Sequence, residues 1–395
     1  MNYVKIKNNC ILLIELFLVS TKLGLTSFGG PVAHLAYFHE EYVRKKKWLD
    51  EQSYADLIAL SQFLPGPASS QVGIGIGVIR AGILGGIVSF IGFTFPSVIL
   101  LIFFAKFMQH SALIHTGWIH GLKIVAVSIV AHAILGMSEK LTPDLKTKSV
   151  ALFSIIVTLL WTSEFSQILI ILLSGIIGLF LFKKSPPENK INMNIKVSKR
   201  FALVCLTLFF LLFFLLPILN KSTTLTWVDL FDRFYRTGGL VFGGGHVVLP
   251  LLQQEFVQQG LINKETFLAG YGATQAVPGP LFTFAAYLGA VLNGWKGGLI
   301  ATFAIFLPAF LLILGSLPFW NTLRRNNRIS SALIGINAAV VGILIASFYE
   351  PIWTSTILNP MDFVFATILF SMISYLKLAP WIVVLTGVVG GFFFF

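Results

Sequence analysis

The segment Ser61-Gln62-Phe63-Leu64-Pro65-Gly66-Pro67 recurs about 213 residues later as Thr274-Gln275-Ala276-Val277-Pro278-Gly279-Pro280. A Pro-Gly-Pro inside apolar sequence ends any helix that enters it. Proline removes a backbone donor and disfavours helix in the residue before it, and glycine relaxes the bend. In lipid such a break survives only where the freed backbone groups are buried in protein or line a cavity. Two of them at corresponding places point to the binding site of a transporter.

The surroundings are apolar enough to make lipid the relevant solvent. With 56% hydrophobic and 11% charged residues and a mean hydropathy of +0.85, the chain is too apolar for a soluble domain and reads as an all-α polytopic membrane protein. The net charge of +12 sits in short clusters between apolar runs. That is the pattern of topogenic signals, and it excludes a nucleic-acid partner. Cys10 and Cys205 lie in apolar runs without metal-ligand or CxxC spacing, and no cofactor motif is present. Lys5 and Lys7 ahead of Ile11 to Val19 give the start some look of a signal peptide, but Glu15 interrupts the run, and no cleavage is expected.

Along the chain, an apolar arm over residues 10–27 ends at Phe28-Gly29-Gly30-Pro31, and an amphipathic arm from Val32 to Val43 leads into Arg44-Lys45-Lys46-Lys47. A third arm, Asp50 to Leu64, ends at Pro65-Gly66-Pro67, and a fourth runs from Ala68 through Gly73, Gly75 and Gly77 to Arg80. None is a clean span of about 20 apolar residues. They read as two helical hairpins, broken or re-entrant. Conventional spans are expected at roughly 82–107, 113–137, 148–163 and 165–182, then a polar linker to Arg200 and a span at 201–219.

The hairpin pattern then restarts. At an offset of about 214, Ile14-Glu15-Leu16-Phe17 meets Val228-Asp229-Leu230-Phe231, Lys22 meets Arg236, Phe28-Gly29-Gly30 meets Phe242-Gly243-Gly244, and Glu41 meets Glu255. The expected organisation is a first repeat over 1–183, a linker with an extra span over 184–226, and a second repeat over 227–395. If each repeat crosses an even number of times, the extra span turns the second upside down. The basic clusters agree, since cytoplasmic loops carry the Lys and Arg excess. Arg44 to Lys47 falls inside, whereas the matching loop, Gln258-Gln259-Gly260-Leu261, falls outside and has lost its cations. The expected fold class is therefore two inverted-topology repeats.

These residues resemble the chromate transporter family in its two-domain form. The resemblance rests on Phe28-Gly29-Gly30-Pro31 with His34, Leu64-Pro65-Gly66-Pro67 with Gln71, and Arg80-Ala81-Gly82 with Gly85-Gly86. The second copy supplies Phe242-Gly243-Gly244-Gly245-His246, Val277-Pro278-Gly279-Pro280 and Gly294-Trp295-Lys296-Gly297-Gly298. It covers nearly the whole chain outside the central linker. It implies an inner (plasma) membrane carrier that moves chromate outward and confers chromate resistance, with sulfate as a related or competing oxyanion. The sequence leaves the oligomeric state open, a homodimer among the options.

A tetrahedral dianion needs hydrogen-bond donors and partial positive charge in a low-dielectric place, and a half-helix N-terminus offers both. The candidate substrate-binding residues are accordingly the four breaks: Gly29 and Gly30; Pro65, Gly66 and Pro67; Gly243, Gly244 and Gly245; Pro278, Gly279 and Pro280. With antiparallel repeats they converge near the midplane. The bland reading is that such glycines and prolines serve packing and kinks. Gln71 and Thr283, with Gln62, Ser69, Ser70 and Gln275, either donate to the oxyanion or tie off carbonyls at the breaks. Lys22 and Arg236 are anion attractors or partners of carboxylates such as Glu41 and Glu255. Arg80 is functional or merely topogenic. His34 and His246 are proton carriers or packing groups, and His110, His115, His120 and His132 read as interfacial or packing.

An inside-negative potential drives a dianion outward with about 4.6 kcal/mol per 100 mV, so export needs no ATP, and no phosphate-cradling motif is present. The sequence reading is thus a secondary carrier exporting chromate. Its rivals are the same fold carrying sulfate or another anion, even as an importer, and a membrane-embedded enzyme, for which no acid, base or metal constellation is evident.

Overall fold

A computed structural model describes residues 2–110, 117–161, 166–182, 197–223, 225–242, 245–324 and 326–395. Among these described residues the regular elements are all helical, and five helical stretches are long and apolar enough to cross a membrane.

The first hairpin joins α1 (Asn2–Thr26) to α2 (Gly30–Phe38), which widens into π-helical turns over His39–Lys45. The two legs are antiparallel: Lys22 meets Glu41, and Glu15 meets Lys46, each at 2.9 Å. The turn between them is the Gly-Gly break. The second hairpin runs from α3 (Glu51–Phe63) through Pro65-Gly66-Pro67 into α4 (Ala68–His110). Asp50 starts α3 as N-cap, accepting from the Ser53 N–H at 2.8 Å; that bond holds its carboxyl below the usual carboxylate range.

α4 is itself two helices. At Ala81–Gly82 the backbone leaves helical geometry, with Gly82 at φ +72°, and the chain doubles back. Gly77 packs against Gly85, and the Ser89 hydroxyl donates to the Gly73 carbonyl at 2.9 Å. A left-handed φ is cheap only for glycine. The fourth arm expected to end at Arg80 and the span expected from 82 onward are these two legs.

The second copy repeats the plan as α9 (Thr226–Leu240), α10 (Val248–Phe256), α11 (Lys264–Ala276) and α12 (Phe284–Ser316), with α8 (Lys199–Ser222) before it. α12 doubles back at Asn293–Gly294, where Gly294 has φ +61° and Gly289 packs against Gly297. α4 and α12 lie side by side and antiparallel: the Gln109 amide donates to the Val291 carbonyl at 2.7 Å, Gly298 lies against Ile102, and Phe90 stacks edge-on with Phe306. Corresponding helices therefore run in opposite directions.

The remaining helices are α5 (Gly117–Leu141), α6 (Leu145–Leu160) and α7 (Ser166–Leu181) in the first copy. In the second, the short α13 (Trp320–Arg324) leads into α14 (Asn327–Ser347), α15 (Pro360–Ser374) and α16 (Pro380–Phe394). They are exchanged between copies. α5 packs on α15 and α16, and α14 packs on α6 and α7. The crossings match: Gly117 and Gly121 close on Gly391 and Gly387, while Gly335 closes on Ser174 and Gly178. Small residues four apart on both partners let the backbones touch, which is how helices associate where lipid supplies no hydrophobic drive. Polar ties along α5 and α15 reinforce the exchange. His120 bonds Asp362 at 2.7 Å, the Ser128 hydroxyl donates to the Ala366 carbonyl at 2.9 Å, and His132 bonds Ser374 at 2.9 Å.

The expected spans at 148–163 and 165–182 are shorter than conventional ones. α6 and α7 have 16 residues each and α15 and α16 have 15, or about 22–24 Å at 1.5 Å per residue against a hydrocarbon core of about 30 Å.

Candidate substrate site at the helix breaks

The four breaks meet. The Gly66 N–H, in the first Pro-Gly-Pro, donates at 2.7 Å to the carbonyl of Val241, just ahead of the second Gly-Gly break. The Gly279 N–H, in the second Pro-Gly-Pro, donates at 2.9 Å to the carbonyl of Ser27, just ahead of the first. Each Pro-Gly-Pro turn is thus fastened to the Gly-Gly turn of the other copy. Both bonds satisfy groups that the broken helices would leave orphaned, which in an apolar interior is worth more than a bond formed in water. Gly245 sits against Pro31 and Leu281. Gly243 and Gly244 lie outside the described residues.

The carbonyls of the two Pro-Gly-Pro turns are tied off differently. Gln71 Nε2 donates to the Pro65 carbonyl at 2.8 Å, whereas the Pro278 carbonyl accepts from the Ser97 hydroxyl. Thr283 Oγ1 donates to the Pro280 carbonyl at 2.7 Å. Gln71 and Thr283 therefore spend donors on the breaks. Gln275 is buried, with its amide close to the Tyr271 hydroxyl rather than on a break carbonyl.

The paired cations stand away from the turns. Lys22 bonds Glu41 at 2.9 Å, and Arg236 bonds Asp232 at 3.0 Å and Glu255 at 3.2 Å. Arg233 joins the same cluster through Asp229 and Glu255. This geometry is the carboxylate-partner alternative at both matched positions. Arg80, at the α4 reversal, lies 4.0 Å from Glu15 and over the Trp48 ring. His34 is buried and bonds Ser69 at 3.3 Å, while His246 bonds the Tyr271 hydroxyl at 2.9 Å.

Beside the meeting point lies a cavity of about 370 Å³, bordered by Gly29, His132, His246, Gln275, Ser374 and Lys377 among others. Gly29 is the N-cap of α2, and no side chain caps that helix end. Lys377 is not among the sequence candidates, and His132 reads from the sequence as interfacial or packing. The only signal for Lys377 was a cation in a short linker between apolar helices, and nothing in the linear order placed that linker beside Gly29.

The chromate transporter pattern matches the chain twice, over residues 14–179 and 228–392. The chain belongs to the chromate transporter family. An uncharacterized transporter of Methanocaldococcus jannaschii is 30% identical to this family member over 84% of the chain and 83% of its own length. A probable chromate transport protein of Synechococcus elongatus is 27% identical over 81% of the chain and 80% of its own length. The chromate transport protein of Pseudomonas aeruginosa is 24% identical over 84% and 79%. No solved structure matches the chain.

Proposed function

We propose that this chromate transporter family member is a secondary carrier that exports a tetrahedral oxyanion, chromate first, across the plasma membrane and so lowers its concentration in the cell. The observation that carries the reading is the pair of crossed backbone bonds, Gly66 to Val241 and Gly279 to Ser27. They hold half-helix ends from two oppositely directed copies at one place, where amide dipoles can face an anion approached from either side. Alternating access then amounts to one set of turns rocking against the other. The names of the relatives support chromate as the anion, and the membrane potential supports the outward direction. The division into repeats at 1–183 and 227–395, with the Arg44 to Lys47 cluster inside, belongs to the same reading.

Sulfate shares the shape and charge of chromate and is the second substrate to test. Purified protein in liposomes, loaded with radiolabelled chromate, sulfate or molybdate, should release chromate faster when the compartment holding it is made negative. Flux insensitive to voltage and equal to that of empty liposomes would defeat the proposal.

A further inference from the structure

We infer that the cavity between Gly29 and Lys377 is an oxyanion-binding site, the place where a doubly charged tetrahedral anion is held before it passes the crossed turns. This rests on the transport reading above and adds the residues that select the charge. The cation and the helix end that border the cavity suit an anion. Lys377 brings a full positive charge. The uncapped start of α2 at Gly29 brings the positive end of a helix dipole. Gln275 also borders the cavity, with His246, a ring whose Nδ1 is already engaged by Tyr271, and His132, a ring held by Ser374. Among the described residues no carboxylate borders the cavity and Lys377 forms no ion pair. A volume of about 370 Å³ is roughly that of a dozen waters at about 30 Å³ each, enough for an oxyanion with part of its hydration shell.

Two further features single out Lys377. Its backbone is left-handed, at φ +52°, in the linker that follows α15, where glycine is the less strained residue. A lysine there sacrifices backbone comfort for a side chain. The linker is also not duplicated in kind. Between α6 and α7 the corresponding residues include Glu164 and no cation, so the site belongs to one side only. His132 lies nine residues before the Leu141 end of α5, or about 13 Å along the helix. Ser374, which ends α15 and bonds His132, therefore lies that far short of the α5 end, with the exposed linker following it. By the distribution of basic residues this is the cytoplasmic side, from which an exported anion must load.

The test is equilibrium binding of labelled sulfate and labelled chromate to the full-length protein in lipid nanodiscs, with flux measured on the same preparations. Lys377→Gln should raise Kd for both dianions by about tenfold or more, as expected for losing a charge-assisted contact, while Lys377→Arg stays within about threefold. Lys377→Gly should weaken binding equally, yet melt at or above the wild-type temperature because it relieves the left-handed backbone. Lys296→Gln, at the far reversal, should bind as wild type. The inference is overturned if wild type transports and Lys377→Gln binds and transports unchanged, or if Lys377→Gly loses binding only together with fold. Wild-type protein that neither binds nor moves any oxyanion would instead bring down the transport reading, and this site with it.

Discussion

Gly279→Ala probes the crossed turns most directly. Gly279 sits at φ +106° with its N–H on the Ser27 carbonyl. An added Cβ would run into the Ser97 hydroxyl, the group that satisfies the Pro278 carbonyl. The strained backbone costs about 1–3 kcal/mol, and displacing Ser97 forfeits a buried hydrogen bond worth about 1 kcal/mol. The combined 2–4 kcal/mol, if borne by the arrangement of the turns, corresponds to a loss of flux of about 30- to 1,000-fold. Gly66→Ala meets only the flexible Gln71 amide at 3.1 Å and Ala309 at 3.4 Å, so it should retain the backbone strain but less of the steric loss. Ser97→Ala combined with Gly279→Ala should be less damaging than the two single losses added together, by about 1 kcal/mol, because the same bond is then lost only once. The assay is voltage-driven chromate flux in liposomes alongside the melting temperature of the purified protein. Wild-type flux and melting in Gly279→Ala, or strict additivity with Ser97→Ala, would refute the argument.

Other consequences are testable in the same preparations. Arg236→Gln takes the guanidinium from the buried Asp232 carboxylate, while Glu255 keeps Arg233, and should destabilise by about 3–5 kcal/mol, whereas Lys22→Gln removes a cation that is itself 58% exposed from Glu41, which keeps Lys45 at 3.9 Å, and should cost less; equal melting temperatures would contradict this. Cysteines replacing Lys46 and Gln258 should label from opposite faces of intact cells, and labelling from the same face would sink the inverted arrangement. Cutting the chain within 183–196 should give halves that co-purify when expressed together and are degraded when expressed alone, since α5 and α14 each pack mainly on the other half; a stable, well-folded single half would count against the exchange. Gly335→Leu should disrupt the close crossing with Ser174 and Gly178 and lower the melting temperature, through overpacking of about 1–3 kcal/mol.

Much of the architecture could be read from local chemistry. Both Pro-Gly-Pro turns, both Gly-Gly turns and the boundary after Arg80 were legible from proline and glycine, whereas the reversal at Gly294 was not, because glycine also sits inside helices, as Gly77 and Gly85 do. The matched pairs Lys22 with Glu41 and Arg236 with Glu255 were legible as alternatives, because a cation in apolar sequence needs a partner. The exchange of α5 and α14 had a signal that went unread. Gly117 and Gly121, Ser174 and Gly178, Ser331 and Gly335, and Gly387 and Gly391 are all small residues four apart, but such spacing marks a contact face without naming its partner. Lys377 and His132 gave still less, being single polar residues whose meaning lies in what surrounds them.

By itself, the sequence determined that the chain is duplicated, that it lives in lipid and where its Pro-Gly-Pro and Gly-Gly breaks fall, since hydropathy, proline and glycine act on the backbone within a few residues. Only the tertiary structure decided that each Pro-Gly-Pro turn is bonded to the opposite copy, that α5 and α14 trade places, and that Lys377, Gln275 and Gly29 share one cavity. Those facts depend on pairings between residues more than about 100 positions apart, where many partners satisfy the same local pattern and only packing and the need to satisfy buried backbone groups choose among them.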